Sequence, residues 1–386
     1  MPSSDGPSTA DQQLIDHAAR HGVTVTAKQL AVWRRAGLMP GNIPGGGLGR
    51  GRGSTSAPPP ESFDLVLALA RRAGRGKRPT DLALLLFADG HPVPETTVRA
   101  AFRAAVDAVS LPGEDDHPDS SEGLEDQVDR VAGRISEADR AFTLVPARAR
   151  RIDEAIARLL GEPPAELAEL DKNAEPTPMT PQDALLAAVT VTLGGTMSVQ
   201  EMGDLLRAMN PGIAVHPFAS LVETTQQDVP KAADLVMADD GSLTFLTEGD
   251  VRDLLRDLAE AAALEDLAAG WRTAQQVREW ALSFCERVEA ELDAGQAGEA
   301  VMEWLISRGL PSGLSLLESL RDRRNSPSST ALSALLLVHQ CQKYRELDEL
   351  VPGCQWEVLQ MPGVLPPPVR DLILTTVQPK DQEASC

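Results

Sequence analysis

The sequence predicts a mainly α-helical chain, made of a small basic N-terminal domain and a larger, acidic, all-helical C-terminal region. Three observations carry that reading. The 386 residues are rich in Ala and Leu yet only 3% aromatic, a composition that favours helices packed by aliphatic side chains. Apolar residues recur at helical spacing through most of the chain and are interrupted at Gly, Pro and acidic stretches. The charge is split: the whole chain stands at −21, but residues 1–110 carry 13 Lys and Arg against 9 Asp and Glu, which leaves −25 for the remainder.

Taken in order, residues 1–10 are Ser/Pro/Gly-rich and read as a disordered tail. Residues 11–110 form the basic domain. Leu14, Ile15, Ala18 and Ala19 place a helix over Asp11–His21, which Gly22 interrupts. Thr24 or Thr26 can cap a second helix with Leu30 and Trp33 on its buried face, and Gly37 is placed to end it in the left-handed conformation. No helix or long strand persists through the Gly/Pro-rich stretch that follows. Further helices are expected at Glu61–Arg72, with Phe63, Val66, Leu67 and Leu69 buried, at Thr80–Ala88 after Pro79, and at Glu95–Val109. Residues 11–90 are expected to fold alone.

Residues 111–125 are an acidic linker. Residues 126–162 read as a helical hairpin: Val128, Val131, Ile135, Ala138 and Phe142 form a short heptad stripe, and Ile152, Ile156 and Leu159 continue it beyond Pro146. The stripe is a candidate dimerisation surface, or packs within its own chain. A second linker covers 163–181. Residues 182–386 are a helical effector or partner-binding domain, with long helices at Glu248–Ala263, Thr273–Leu292, Ala297–Arg308 and Ser329–Leu347 and a candidate β-hairpin around Asp240-Gly241.

Between Arg20 and Arg78 there are 11 basic residues and two acids, Glu61 and Asp64, the charge pattern of a nucleic-acid-binding arm. Lys28 and Gln29 lie near the start of the second helix, the end that meets base edges in a helix-turn-helix, while Arg34 and Arg35 suit phosphates. Arg50 and Arg52 lie in GLGRGRG, where glycines let the backbone approach a duplex closely. Arg71, Arg72, Arg75, Lys77 and Arg78 make a second basic cluster between two helices. Trp33 is read as core, not as a base contact.

The order in LIDHAARHGVTVTAKQLAVWRRAGLMP is helix, glycine turn, capped helix, then aromatic-x-x-x-Gly-Leu-x-Pro. It resembles the DNA-binding domain of the MerR family of bacterial regulators over residues 14–88. That resemblance implies a winged helix-turn-helix, with the glycine-rich stretch after Pro40 as first wing and the next two helices following it. Val32-Trp33 stands where the family has an aromatic pair, and the wing lacks the family's tyrosines. The reading is therefore a DNA-binding transcriptional regulator, partnered by double-stranded DNA and by a second copy of itself. Its acidic region senses a ligand or docks RNA polymerase or another protein. The alternatives are a DNA-binding adaptor without small-molecule input and an enzyme localised by its DNA-binding domain.

No catalytic constellation is recognisable. His339 and Cys341, with Cys354 further on, have metal-like spacing without an evident fourth ligand and read as core. Four cysteines suggest no disulfide framework. No cofactor or metal is expected, and no apolar run reaches membrane-spanning length. The N-terminus lacks the features of a secretory signal. The expected compartment is the cytoplasm, in association with the nucleoid.

Overall fold

The computed structural model describes residues 7–45, 56–73, 77–108, 145–161, 199–208, 251–309, 313–321, 326–350 and 359–377. The chain is mainly helical. Its elements are α1 (Thr9–Arg20), α2 (Ala27–Arg35), β1 (Ile43–Pro44), β2 (Ser56–Ala57), α3 (Glu61–Arg72), α4 (Pro79–Ala88) and α5 (Glu95–Asp107). They continue with α6 (Ala147–Leu160), α7 (Val199–Ala208), α8 (Val251–Ala261), α9 (Leu264–Asp293) and α10 (Glu299–Arg308), then α11 (Gly313–Arg321), α12 (Pro327–Leu350) and α13 (Pro367–Val377). None of the described helices is long and apolar enough to cross a membrane. The heptad stripe at 128–142 and the hairpin around Asp240-Gly241 lie outside the described residues.

Two compact units emerge. The first contains α1–α5 but is not confined to residues 11–110: Arg256–Trp271 and Asn325–Ser333 belong to it as well. Its N-terminal helices are bounded as their sequence dictates. Ser8 caps α1 by accepting from the Asp11 amide. At the other end the Gly22 amide donates to Ala19 and the Val23 amide to Ala18, with Gly22 at φ 76°. This is a Schellman close, in which the left-handed glycine satisfies carbonyls the helix leaves open. α3 spans the expected residues but buries Ser62, Leu65, Val66 and Leu69, while Phe63 and Leu67 are half-buried. The buried set keeps the three- and four-residue spacing of one helix face, centred between Leu65 and Val66, so Phe63 and Leu67 fall on its flank. Phe63 instead sets its ring edge-on to His17, at 5.0 Å.

α5 is held on both sides within this unit. Its core face presents Val98, Ala101, Phe102, Ala105 and Val106. Phe102 meets Phe87 at 5.9 Å and Trp271 at 6.4 Å, both edge-to-face, a favourable aromatic geometry. Its polar side is stitched to α8: Arg99 donates to the Ala259 carbonyl at 3.0 Å, Arg103 pairs with Glu260 at 2.8 Å, and Arg256 pairs with Asp107 at 2.8 Å.

The second unit holds α6, α7, α10, α11 and α13 with most of α9 and α12. Ile152 and Ile156 of α6 pack in one core with Phe284, Val288, Val301 and Trp304. The apolar face of α6 is thus used inside its own chain. At the centre of this core Asp153 accepts from Trp304 Nε1 at 2.7 Å and from Arg308 at 3.0 Å, and Arg308 is fully buried. Glu291 caps α10 from outside it, accepting from the Ala300 and Val301 amides at 3.0 and 2.9 Å, which places a carboxylate at the positive end of the helix dipole. Cys341 joins a smaller cluster with Val277, Leu359, Val369 and Ile373.

Candidate nucleic-acid interface

α2 is a helix of nine residues, its start fixed by side-chain capping and its end by backbone hydrogen bonds. The choice between Thr24 and Thr26 falls on Thr26: its Oγ1 accepts from the Gln29 amide at 3.2 Å, while Gln29 Oε1 accepts from the Thr26 amide at 2.8 Å. This reciprocal box satisfies two amides that would otherwise lack partners. At the C-terminus Gly37 donates to Arg34 and Leu38 to Trp33, with Gly37 at φ 71° and both Leu38 and Trp33 buried. A Cβ on Gly37 would lie 2.5 Å from Thr97 Oγ1, and Thr97 donates to the Gly37 carbonyl at 3.4 Å. The end of α2 therefore seats directly on α5.

Arg34, assigned to phosphates on sequence grounds, is spent internally. One of its terminal nitrogens pairs with Asp11 in the first turn of α1 at 2.6 Å, and the other donates to Asn42 Oδ1 at 2.9 Å. One half-buried guanidinium so fixes α2 against α1 and against the residues leading into β1. The Gln29 side chain, assigned to base edges, has its carbonyl oxygen committed to the Thr26 cap.

What α2 leaves outward is narrower than the sequence suggested and includes a residue it passed over. Leu30 and Trp33 are buried. Lys28, Ala31, Val32 and Arg35, spaced at three, four and seven residues from Lys28, form one exposed stripe. Among the described residues neither Lys28 nor Arg35 has an ion-pair partner. Val32 is 40% exposed between them. Its only sequence signal is its register opposite Leu30.

β1 and β2 pair antiparallel, Ile43 with Ala57 and Pro44 with Ser56, so the two ends of the glycine-rich stretch are hydrogen-bonded together. Arg50 and Arg52, within that stretch, lie outside the described residues. In the second basic cluster Arg71, Lys77 and Arg78 are exposed, Arg72 is paired with Asp89 at 2.8 Å, and Arg75 is outside the described residues. The Arg78 amide donates to Asp81 at the start of α4. Arg71, Arg72, Lys77 and Arg78 lie at the end of α3 and the start of α4, apart in sequence from the α2 stripe.

In the second unit Cys285 and His339 are buried, and Arg148 and Glu289 pair with each other. Burial pushes the Cys285 thiol up to about 12, against the opposing pull of Arg148, so it holds its proton at neutral pH and is a poor nucleophile. His339 is buried and held below its ordinary pKa by burial, then by Lys343. Arg148 grips Glu289 through two hydrogen bonds of 2.9 and 2.7 Å, and these hold the Glu289 carboxyl below the usual range. Among the described residues no group of three or more His, Cys, Asp or Glu side chains could hold a metal ion; Cys354 lies outside them. No family model, curated protein or solved structure matches the chain.

Proposed function

We propose that the first unit is a DNA-binding module of the helix-turn-helix type, with α2 as its recognition helix, in a protein that regulates transcription. The observation that carries this reading is the exposed stripe of α2, where two cations without ion-pair partners among the described residues flank small apolar side chains on a helix otherwise locked in place. Lys28 sits near the N-terminal end, the end that reaches base edges in such modules, and Arg35 one turn beyond the middle suits a phosphate. The Schellman close, the Thr26 cap and the Arg34 clamp support it physically, because a reading helix must be held rigidly to discriminate among bases. The paired ends of the glycine-rich stretch suit a short wing carrying Arg50 and Arg52. Arg71, Lys77 and Arg78 add candidate backbone contacts. The acidic helical remainder is the candidate sensing or partner-binding part. Dimerisation, where it occurs, does not use Ile152 and Ile156, whose side chains fill their own core.

The test is binding of the full chain to duplexes enriched from a randomised pool, across a salt series. Lys28→Ala relaxes sequence preference, whereas Arg35→Ala weakens every duplex and reduces the salt slope by about one unit per lost phosphate contact. A wild-type chain that enriches no duplex at low salt refutes the proposal.

A further inference from the structure

We infer that Val32 reads the 5-methyl group of a thymine in the major groove. The inference rests on the DNA-binding reading and names a base contact within it. Val32 is 40% exposed in the middle of a nine-residue helix. Helix stability does not account for it: a β-branched side chain loses rotamer freedom there, and in so short an exposed segment a straight-chain or small residue would serve better. Packing does not account for it either, since the buried face of α2 is Leu30 and Trp33. Its immediate surroundings do point to an occupant. Lys28 precedes it by one turn and Arg35 follows by three residues, both exposed and without ion-pair partners among the described residues, and Ala31 lies beside it. A purely apolar partner would strip water from two cations without supplying a counter-charge. The ligand must therefore be anionic at the ends of the stripe and apolar at its centre.

The major groove supplies that alternation. Phosphates line its edges, and among the four bases only thymine presents a methyl group on its floor. Gln29, the polar residue best suited to adenine by spacing, has its side-chain oxygen held in the Thr26 cap, which prevents the bidentate contact that adenine needs. The central discrimination then falls to shape and apolar contact, at Val32 with Ala31 beside it. A methylated cytosine offers the same methyl beside an amino donor in place of an oxygen acceptor, so the recognised chemistry is a C5-methyl group and thymine is its source in unmodified DNA.

The experiment removes that one methyl. Duplexes enriched by the full-length wild-type chain from an unmethylated randomised pool are resynthesised with deoxyuridine at each thymine in turn. At one thymine per bound helix, uridine weakens wild-type binding about fourfold, the equivalent of one buried methyl group. The same replacement leaves Val32→Ala unaffected, while Lys28→Ala keeps the uridine sensitivity. At that position 5-methylcytosine binds about fourfold more tightly than cytosine. Val32→Ala places a better helix former at a surface site, so loss of folding does not confound the comparison. The inference is overturned if no single uridine weakens the wild type, or if the weakening persists in Val32→Ala, or if the two cytosine duplexes bind equally. Sequence-specific binding that depends on Lys28 but ignores every methyl removes Val32 from readout and leaves the DNA-binding proposal standing. Failure to enrich any duplex overturns both.

Discussion

Replacing Gly37 by alanine separates backbone strain from steric clash at the point where α2 meets α5. Gly37 has φ 71° and Gly22, which closes α1, has φ 76°. An L side chain in that conformation costs roughly 1–2 kcal/mol. The two sites differ in space: nothing lies within 4 Å of a Cβ on Gly22, while a Cβ on Gly37 falls 2.5 Å from Thr97 Oγ1. Overpacking of this kind adds about 1–3 kcal/mol. Gly22→Ala is therefore expected to cost about 1–2 kcal/mol and Gly37→Ala roughly 2–5 kcal/mol. Thr97→Ala in the Gly37→Ala background relieves the clash alone and brings the loss back to roughly 1–2 kcal/mol, apart from the weak 3.4 Å hydrogen bond it removes. Hydrogen exchange of the α2 and α5 amides in the full chain, read by mass spectrometry, gives the local free energies. Equal losses for Gly22→Ala and Gly37→Ala, or no rescue by Thr97→Ala, would refute the seating of α2 on α5.

Two further perturbations address the cores. Asp153→Ala deprives Trp304 and the fully buried Arg308 of a shared carboxylate and is expected to destabilise the second unit by roughly 3–5 kcal/mol; a urea midpoint of the tryptophan fluorescence within error of wild type counts against the buried pair. His17, whose Nε2 is buried without a partner among the described residues, is held below its ordinary pKa by burial, then by His21 and Arg20, with Asp64 opposing. The folded unit thus favours neutral imidazole. The contribution of His17 to stability is fully present above the unfolded value of 6.5 and is lost as pH falls below it. Exchange of the α1 and α3 amides measured near about pH 7.5 and about pH 5.5 should show a larger acid-dependent loss in wild type than in His17→Gln, and an identical dependence sinks the assignment.

The first five helices were legible because their boundaries are local. Thr and Pro at the starts, and Gly22 and Gly37 at the ends, state them within a few residues; α1 is the exception, beginning at Thr9 inside the stretch read as a disordered tail, because Ser8 caps it and Ala10 is buried. The surface of α2 was only half legible. Periodicity separates Leu30 and Trp33 from the rest, but it cannot show that Arg34 meets Asp11, 23 residues earlier, or that Gln29 turns back to its own cap. Those are tertiary and rotameric choices. In the C-terminal region Gly270 obscured a helix: the sequence suggested a start at Thr273, whereas α9 begins at Leu264 and runs through the glycine. Burial of Leu267 and Trp271 on either side outweighs the roughly 1 kcal/mol that a mid-helix glycine costs. Membership of Arg256–Trp271 in the first unit has no local signature at all, since its partners on α5 are about 150 residues away.

That late segment bears on how the protein is made. As the chain leaves the ribosome α1–α5 emerge first, yet the indole that covers Phe102 and the arginine that meets Asp107 have not been synthesised. About 160 more residues must be added before Trp271 appears, a wait of roughly 8–30 seconds at 5–20 residues per second. Throughout it Phe102 has Phe87 but not Trp271, and Asp107 lacks Arg256. The first unit is thus completed late in synthesis rather than early, and a nonsense truncation after Ala108 would leave Phe102 without Trp271 and Asp107 without Arg256, a fragment exposed to chaperones and proteases.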